Sequence, residues 1–307
     1  MPSRRTFMTS SLTAAALAAG VGARGASESG AGSTSEEQEP MRLSVLCYAF
    51  HGLLGQGRMN VFGFLETCKY RYHLGAADLW NGFLESTAEE YLKAIREELD
   101  ERELVVPNLA CDECTIWVAD PDARERYYRS ALTHLNAGRI LGARFVRFDA
   151  GGPPADDNRL EWTEEEFEHI VKRYREYAQY AYDHGFKAGS ESHWGPEAYW
   201  PSMQQLCKAV DHPGFAICCH ISGWKGSREE KDLADRECVP WVAHTHIPWD
   251  ITEGPLVEKM NNLKNGGYPG YYSVEHHSGQ DEYAEVAIQL AKVRAVLLSW
   301  RGSGNPA

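Results

Sequence analysis

From Met41 onward, short runs of β-prone residues alternate with helical stretches, and this alternation constrains the fold more than any other feature. Alternation of this kind indicates parallel strands joined by crossover helices. The predicted strands are 43–48, 76–80, 104–109, 145–148, 187–191, 215–220, 242–246 and 272–275. Eight such units over about 265 residues match the size of a single (β/α)8 barrel.

Five segments between these runs carry apolar residues at helical spacing. They are 87–104, 123–141, 164–184, 201–210 and 282–300. Gly75, Gly142 and Gly185 come just before strands, where glycine commonly ends a helix. An open doubly wound sheet is the alternative, but it needs a Gly-rich phosphate loop, and the segment after Tyr48 lacks the required spacing. We therefore predict one α/β domain over residues 41–302, a (β/α)8 TIM barrel.

The residues before this domain have the character of an export signal. Arg4 and Arg5 precede an alanine-rich apolar stretch, 12–21, that is too short to span a bilayer. Residues 1–26 are predicted to be a twin-arginine signal peptide and 27–40 a disordered Ser/Gly/Glu linker. A disordered or membrane-anchoring N-terminus is the alternative. The mature protein is therefore expected in the periplasm, without stable membrane association.

The charge of the chain is acidic. It has 31 Lys and Arg residues against 44 Asp and Glu residues. Removing the signal peptide would leave 28 basic residues and a net charge of about −16. Because such a surface repels phosphate backbones, we expect no nucleic-acid partner. The oligomeric state is not fixed by the sequence, and a homo-oligomer is compatible with it.

Eight cysteines in an exported protein would usually suggest disulfides, but that rule is strongest for small domains with weak cores. A twin-arginine substrate crosses the membrane already folded, so reduced core cysteines are expected here. Cys111 and Cys114 form a lone Cys-x-x-Cys motif, for which a structural zinc site is the alternative. Cys218 and Cys219 lie in an apolar run and are expected to pack in the core.

Acidic or imidazole residues stand where predicted strands five to eight end. They are Glu191, His220, His246 and Glu275. Because strand ends meet at one face of a barrel, their oxygen and nitrogen atoms would converge as in a divalent metal site. His244 and His246 face the same side of their strand. We favour His246 as the ligand and leave His244 as a substrate contact or a satisfied core residue.

The order of these residues resembles the xylose isomerase-like barrels, which include ketose 3-epimerases, hydroxypyruvate isomerases, inosose and dehydroshikimate dehydratases, and endonuclease IV. Four pieces carry the resemblance, which covers nearly the whole chain after Met41. They are Gly-Ala-Ala-Asp-Leu-Trp at 75–80, Glu-Ser-His-Trp-Gly at 191–195, His-Thr-His at 244–246 and Tyr-Ser-Val-Glu at 272–275.

What the resemblance implies is one divalent ion held by Glu191, His220, His246 and Glu275. His220 is a departure, since most members place Asp there. Two imidazoles make the site less anionic, and we expect manganese, cobalt, zinc or iron rather than magnesium.

Such a centre suits the removal of a proton from carbon. A hydrogen next to a carbonyl becomes acidic enough when a fixed positive charge meets the developing enolate oxygen. Glu191 and Glu275 would flank the substrate carbon, one accepting the proton and the other returning it. We predict a metal-dependent isomerase or epimerase acting on an unphosphorylated sugar or keto-sugar. The alternatives are a metal-dependent lyase or dehydratase, eliminating from a 3-keto-glycoside for example, and an exported barrel that binds carbohydrate without turnover.

Further substrate contacts are expected around the ligands. In related ketose epimerases a second Glu lies six residues after the strand-five Glu, which points to Glu197, and a His two residues after it points to His193. For Glu197 the alternative is an exposed acid in the first turn of a helix beginning near Pro196. Candidates at the ends of strands one, two and four, with packing or loop structure as the alternative, are Tyr48, His51, Trp80 and Asp149. Weaker candidates in strand-to-helix loops are Asp250 and Lys225.

Overall fold

Parallel strands in the computed structural model, which describes residues 41–153 and 157–302, form a closed barrel. The strands are β1 Leu43–Val45, β2 Leu79–Trp80, β3 Leu109–Cys111, β4 Phe145–Phe148, β5 Lys187–Glu191, β6 Phe215–His220, β7 Val242–Ile247 and β8 Tyr272–Val274. Each pairs in parallel with its neighbours, and β1 also pairs with β8. A bridge between Leu46 and Asp78 joins β1 to β2 and closes the ring. The predicted (β/α)8 barrel is confirmed.

Helices surround the strands. In the described ranges the α-helices are α1 His51–Gly55, α2 Val61–Glu66, α3 Glu89–Glu101, α4 Pro121–Leu141, α5 Glu164–Asp183, α6 Trp200–Val210, α7 Arg228–Glu237, α8 Trp249–Glu253, α9 Leu256–Asn265 and α10 Glu282–Gly302. A π-helical segment, Thr67–Arg71, follows α2. Within this part of the chain, none of the helices has the length and apolar character needed to cross a bilayer.

Capping interactions set the ends of the long helices that deliver the chain to β4 and β5. Before α4, the Asp120 side chain accepts a hydrogen bond from the Asp122 amide, and after it Gly142 adopts a φ of +68°. Before α5, Thr163 and Glu166 form a reciprocal capping box. These caps satisfy backbone groups that the first and last helical turns leave unpaired.

Three predicted strands differ from the observed ones by more than one residue, and of the run predicted at 76–80 only Leu79–Trp80 is a strand. The run predicted at 104–109 contributes only a bridge from Val105 to Ala76, and β3 begins at Leu109. The reason is Pro107, which has no amide hydrogen for a strand ladder. The strand predicted at 43–48 ends earlier, because the chain turns into a 3-10 helix at Cys47–Phe50.

One of the three predicted helix-ending glycines is wrong. The helical turns before Gly75 stop at Arg71, and the residue with positive φ in that connection is His73, at 52°. Gly142 and Gly185 do adopt positive φ after α4 and α5. The predicted signal peptide at 1–26 and linker at 27–40 lie outside the described residues and stay predictions.

Candidate metal centre

The ends of β5 to β8 bring the four predicted ligands together. Glu191 is the last residue of β5, and His220 lies directly beside His246 in the register of β6 and β7. Glu275 follows β8, and its amide donates to the carbonyl of Ile247 at 3.0 Å. One ligand atom from each of the four side chains lies within 4.8 Å of the others. The predicted convergence is therefore present in the fold.

The ligand atoms form a closed ring. Oε1 of Glu191 lies 2.7 Å from Nδ1 of His246 and 3.7 Å from Nδ1 of His220. Oε2 of Glu275 lies 3.1 Å from Nδ1 of His220 and 3.6 Å from Nδ1 of His246. Ligands about 2.1 Å from a divalent ion lie roughly 3.0 to 3.4 Å apart, so small side-chain shifts would fit one ion. Oε2 of Glu275 is buried without a hydrogen-bond partner in the described part of the chain, as suits a ligand oxygen.

The charges of the four groups depend on one another. Burial opposes ionisation of Glu275, but the positive charges of His246 and His220 outweigh it and hold the pKa of Glu275 well below its usual range. Burial likewise opposes ionisation of Glu191, and His246, His193 and Arg147 together hold its pKa low. For His220, burial would lower the pKa, yet Glu275 and Glu191 raise it to about 9. Without metal, protons bound to the imidazoles therefore balance the negative charges of Glu191 and Glu275.

A buried arginine from β4 lies against one side of the centre. Nε of Arg147 is 3.0 Å from Oε2 of Glu191, and its Nη1 is 3.0 Å from Oδ2 of Asp149 and 3.1 Å from Oδ1 of Asp112. The other oxygen of Asp149 lies 3.2 Å from Nδ1 of His193. The predicted contacts Asp149 and His193 are thus placed beside the ligand Glu191.

An aspartate from the seam between β1 and β2 supports the other side. Oδ2 of Asp78 lies 2.6 Å from Nε2 of His244, accepts from Ser273 at 2.7 Å, and is 3.4 Å from Nε2 of His246. Its Oδ1 accepts from the Asn108 amide at 3.0 Å. His244 is completely buried in this group, a position that favours the core-residue alternative over a substrate contact.

An aromatic cluster lies at the ends of β1, β2 and β8. The Tyr48 ring stacks on His51 at 4.7 Å between centroids and meets Trp80 edge-on at 5.1 Å. His277, whose side chain is half exposed, approaches Tyr48 at 5.4 Å. Tyr48 therefore contacts two other predicted wall residues, His51 and Trp80, and His277 adds an imidazole beside it.

Glu197 is not the exposed acid that the alternative required. It is completely buried, and its Oε2 accepts from the Ser190 hydroxyl at 2.8 Å and the Ala150 amide at 2.6 Å. Burial raises its pKa well above the usual range, and the charge of Asp149 adds to this. The alternative is therefore wrong about exposure, although Glu197 does lie in the first turn of a 3-10 helix, Gly195–Ala198, and a substrate contact stays a prediction. Asp250 and Lys225 are exposed.

All eight cysteines are buried free thiols. Sγ of Cys114 contacts Ser130 at 3.2 Å and Nδ1 of His134 at 3.5 Å. Among the described residues, Cys111 and Cys114 do not join any group of three or more side chains with metal-ligand spacing. The structure therefore favours the expected packing role.

Sequence reasoning missed Arg147, Asp112 and Asp78. Arg147 interrupts the otherwise apolar run Phe145–Phe148, and Asp78 stands between Ala77 and Leu79. A charged residue within a buried apolar run needs a partner of opposite charge. The positions of Arg147 and Asp78 in such runs were therefore the sequence signal that could have identified them.

A model of the family described as "Xylose isomerase-like TIM barrel" matches residues 73–294, more than half of the chain. The chain belongs to the xylose isomerase-like TIM barrel family. This membership agrees with the closed parallel barrel and with a metal centre at the carboxyl ends of its strands. No curated protein matches the chain significantly.

Several solved structures share the fold of this xylose isomerase-like chain. D-psicose 3-epimerase from Clostridium cellulolyticum, solved with D-tagatose, aligns with a TM-score of 0.67 at 13% identity, covering 85% of this chain and 99% of the other. A probable 3-DHS dehydratase from Bacillus anthracis aligns with a TM-score of 0.61 at 16% identity, covering 83% of this chain and 98% of the other. A xylose isomerase-like TIM barrel protein from Mycobacterium smegmatis, solved in complex with magnesium, aligns with a TM-score of 0.65 at 13% identity. The alignment covers 85% of this chain and 97% of the other. At these identities the likeness concerns the fold.

Proposed function

We propose that this chain is a divalent-metal-dependent isomerase or epimerase acting on an unphosphorylated sugar or keto-sugar. The observation that carries the proposal is the placement of Glu191 and Glu275 against the same two imidazoles, with one oxygen of each in the ligand ring. Carbohydrate binding alone does not require two ionised carboxylates at one point. Family membership supports the same chemistry, since the D-psicose 3-epimerase shares the fold.

The two carboxylates are suited to proton transfer at carbon. When bound, a divalent ion supplies the positive charge that lowers the energy of a developing enolate oxygen. Glu275 is ionised, its Oε2 faces the two imidazoles of the ligand ring, and its other oxygen, Oε1, lies 3.3 Å from the half-exposed His277. We assign Glu275 as the base that takes the proton from the substrate carbon and, in an isomerisation, returns it to the neighbouring carbon. In an epimerisation by inversion, Glu191 would have to enter the reaction protonated in order to return a proton.

An elimination catalysed by a metal-dependent lyase is the second candidate, and the Arg147–Glu191 ion pair favours it. A guanidinium 3.0 Å from Oε2 of Glu191 lowers the affinity of that carboxylate for a proton. Epimerisation by inversion needs two bases, whereas elimination needs only Glu275 and a leaving group on the next carbon. The fold is also shared with the probable 3-DHS dehydratase.

A neutral substrate follows from the charge pairing. Arg147 is already engaged by three carboxylates and offers no uncompensated charge to a phosphate. We further propose that the metal is manganese, iron, cobalt or zinc, because two of the ligands are imidazoles. Export to the periplasm, where sugar phosphates are scarce, remains part of this proposal.

The test is solvent deuterium incorporation. Metal-loaded protein is incubated in deuterated water with unphosphorylated ketoses, aldoses and 3-keto-glycosides, and products are followed by NMR. We expect deuterium at a carbon next to the carbonyl, and its loss in Glu275→Gln but not in the matched surface variant Glu253→Gln. An unsaturated product would favour the lyase. Binding of one of these sugars without exchange or turnover would make the chain a carbohydrate binder, and turnover only of sugar phosphates would overturn the substrate class.

A further inference from the structure

We infer that Arg147 limits this centre to a single metal ion by occupying the place of a second cation. The inference rests on the proposed function, since it presupposes that a divalent ion binds to the ring formed by Glu191, His220, His246 and Glu275. It concerns a neighbouring group of ligands that shares Glu191 with that ring.

The neighbouring group has the spacing of a second metal site. Asp149, Glu191 and His193 each offer a ligand atom within 4.8 Å of the others. Asp149 and Glu191 are buried, and His193 is partly exposed at the end of β5. Two carboxylates and an imidazole that share one carboxylate with an adjacent site are the ordinary donors of a paired metal centre.

Arg147 lies where the charge of that second ion would act. Its side chain is only 4% exposed, and it is 3.0 Å both from Oε2 of Glu191 and from Oδ2 of Asp149. Asp112 fixes the guanidinium from a third direction, at 3.1 Å from Nη1. Because the guanidinium stays charged at every physiological pH, it repels a second cation and permanently offsets part of the negative charge of these carboxylates.

The contact with Arg147 gives the two carboxylate oxygens of Glu191 different partners. Its Oε1 faces His246 in the ligand ring, at 2.7 Å, while Oε2 faces Arg147. Glu191 can therefore bind the ring metal through one oxygen and cannot bridge two ions. Arg147 is thus a positioning residue, acting through Glu191.

The test is metal stoichiometry, which needs no substrate. Wild-type protein titrated with Mn²⁺ should bind one ion per chain even in large excess. Arg147→Met should bind a second ion and give the electron paramagnetic resonance spectrum of a spin-coupled manganese pair. Arg147→Met combined with Asp149→Asn, which removes a ligand of the second group only, should return to one ion.

A second variant covers the case in which Arg147→Met is unstable. If Arg147→Met does not fold, adding Asp112→Asn removes a carboxylate left uncompensated outside both ligand groups. A folded Arg147→Met variant that still binds one ion would overturn the inference, and so would wild-type protein that binds two. Wild-type protein that binds no metal would instead refute the proposed function.

Discussion

Nε2 of His244 lies 2.6 Å from Oδ2 of Asp78, and the same carboxylate oxygen faces Nε2 of His246 at 3.4 Å. Since the Nδ1 atom of His246 points into the ligand ring, Asp78 stands behind the imidazole as an outer support. Carboxylates in this position fix the tautomer and orientation of a metal-binding histidine.

Replacing this support should weaken metal binding without removing a ligand. We expect Asp78→Ala to lower Mn²⁺ affinity about 10- to 100-fold, because His246 loses the carboxylate that faces its Nε2 at 3.4 Å. Chelator competition measures the affinity, and circular dichroism checks the fold. Ser44→Ala is the control, because Ser44 is equally buried but its hydroxyl has no partner in the described chain. Equal affinity in the two folded variants would refute the role of Asp78.

Metal binding should tighten as pH rises. The pKa of His220 in the metal-free site is raised to about 9, so at neutral pH an incoming ion must displace its proton. Affinity should rise up to about tenfold per pH unit for each proton released, and the contribution of the His220 proton should end above about pH 9. Calorimetric titration in buffers of different ionisation enthalpy counts the protons.

The metal-free fold should show the opposite trend. The raised pKa of His220 stabilises that fold fully below its unfolded value of about 6.5, and this contribution is lost as pH rises through about 9. Urea unfolding of metal-free protein across this range measures it, with His220→Asn as the control. Identical pH profiles for the two proteins would contradict the assignment.

A buried charge network behind β6 should matter for stability. Asp235 accepts from the indole of Trp224 at 2.9 Å, the amide of Ser222 at 3.1 Å and the ammonium of Lys259 at 2.6 Å. Asp235→Ala leaves the Trp224 and Ser222 donors unpaired and leaves Lys259 with Asp232 as its remaining carboxylate partner, and we expect it to lower the free energy of unfolding by about 3 to 5 kcal/mol.

The matched control for that network is a surface ion pair. Glu253 and Lys292 pair at 2.7 Å with both side chains 40% exposed. Glu253→Ala should cost less than about 1 kcal/mol, because exposed pairs contribute little. Urea denaturation compares the two variants, and similar losses would mean that burial does not decide the effect.

Close strand contact should make one glycine irreplaceable. A Cβ atom at Gly189 in β5 would lie 1.7 Å from the carbonyl oxygen of Ala216 in β6, so Gly189→Ala should abolish soluble folding. Gly55→Ala is the control, since nothing lies within 4 Å and alanine favours the helix. Thermal unfolding of both variants checks this, and a stable Gly189→Ala protein would contradict the backbone geometry.

The barrel and the convergence of the four candidate ligands could be predicted because they depend on local patterns. The alternation of strands and helices in the sequence indicates where each strand ends, and the functional residues of such barrels lie at the carboxyl ends of the strands. Helix α7 could not be found from apolar spacing, since it buries only Ala234 and Asp235, although its capping box of Ser227 and Glu230 is visible in the sequence.

The ion pairs around the ligands could not be predicted for a different reason. Arg147 reaches Asp112 after β3 and Glu191 on β5, so its partners depend on the relative heights of three strands. The contacts of Asp78 likewise depend on the relative heights of β7 and β8, which carry its partners His244 and Ser273. Strand register in a parallel barrel follows from packing of the whole molecule rather than from any one segment.

Asp78 also takes part in joining the first strand to the second. Its amide donates to Val45 at 3.2 Å, and its carbonyl accepts from Cys47 at 2.9 Å. The side chain behind His246 therefore reaches its working position only once the two edges of the sheet have met. Under the proposed function, a chain with this seam still open would lack the carboxylate behind His246, so firm retention of the metal would report that the barrel has closed.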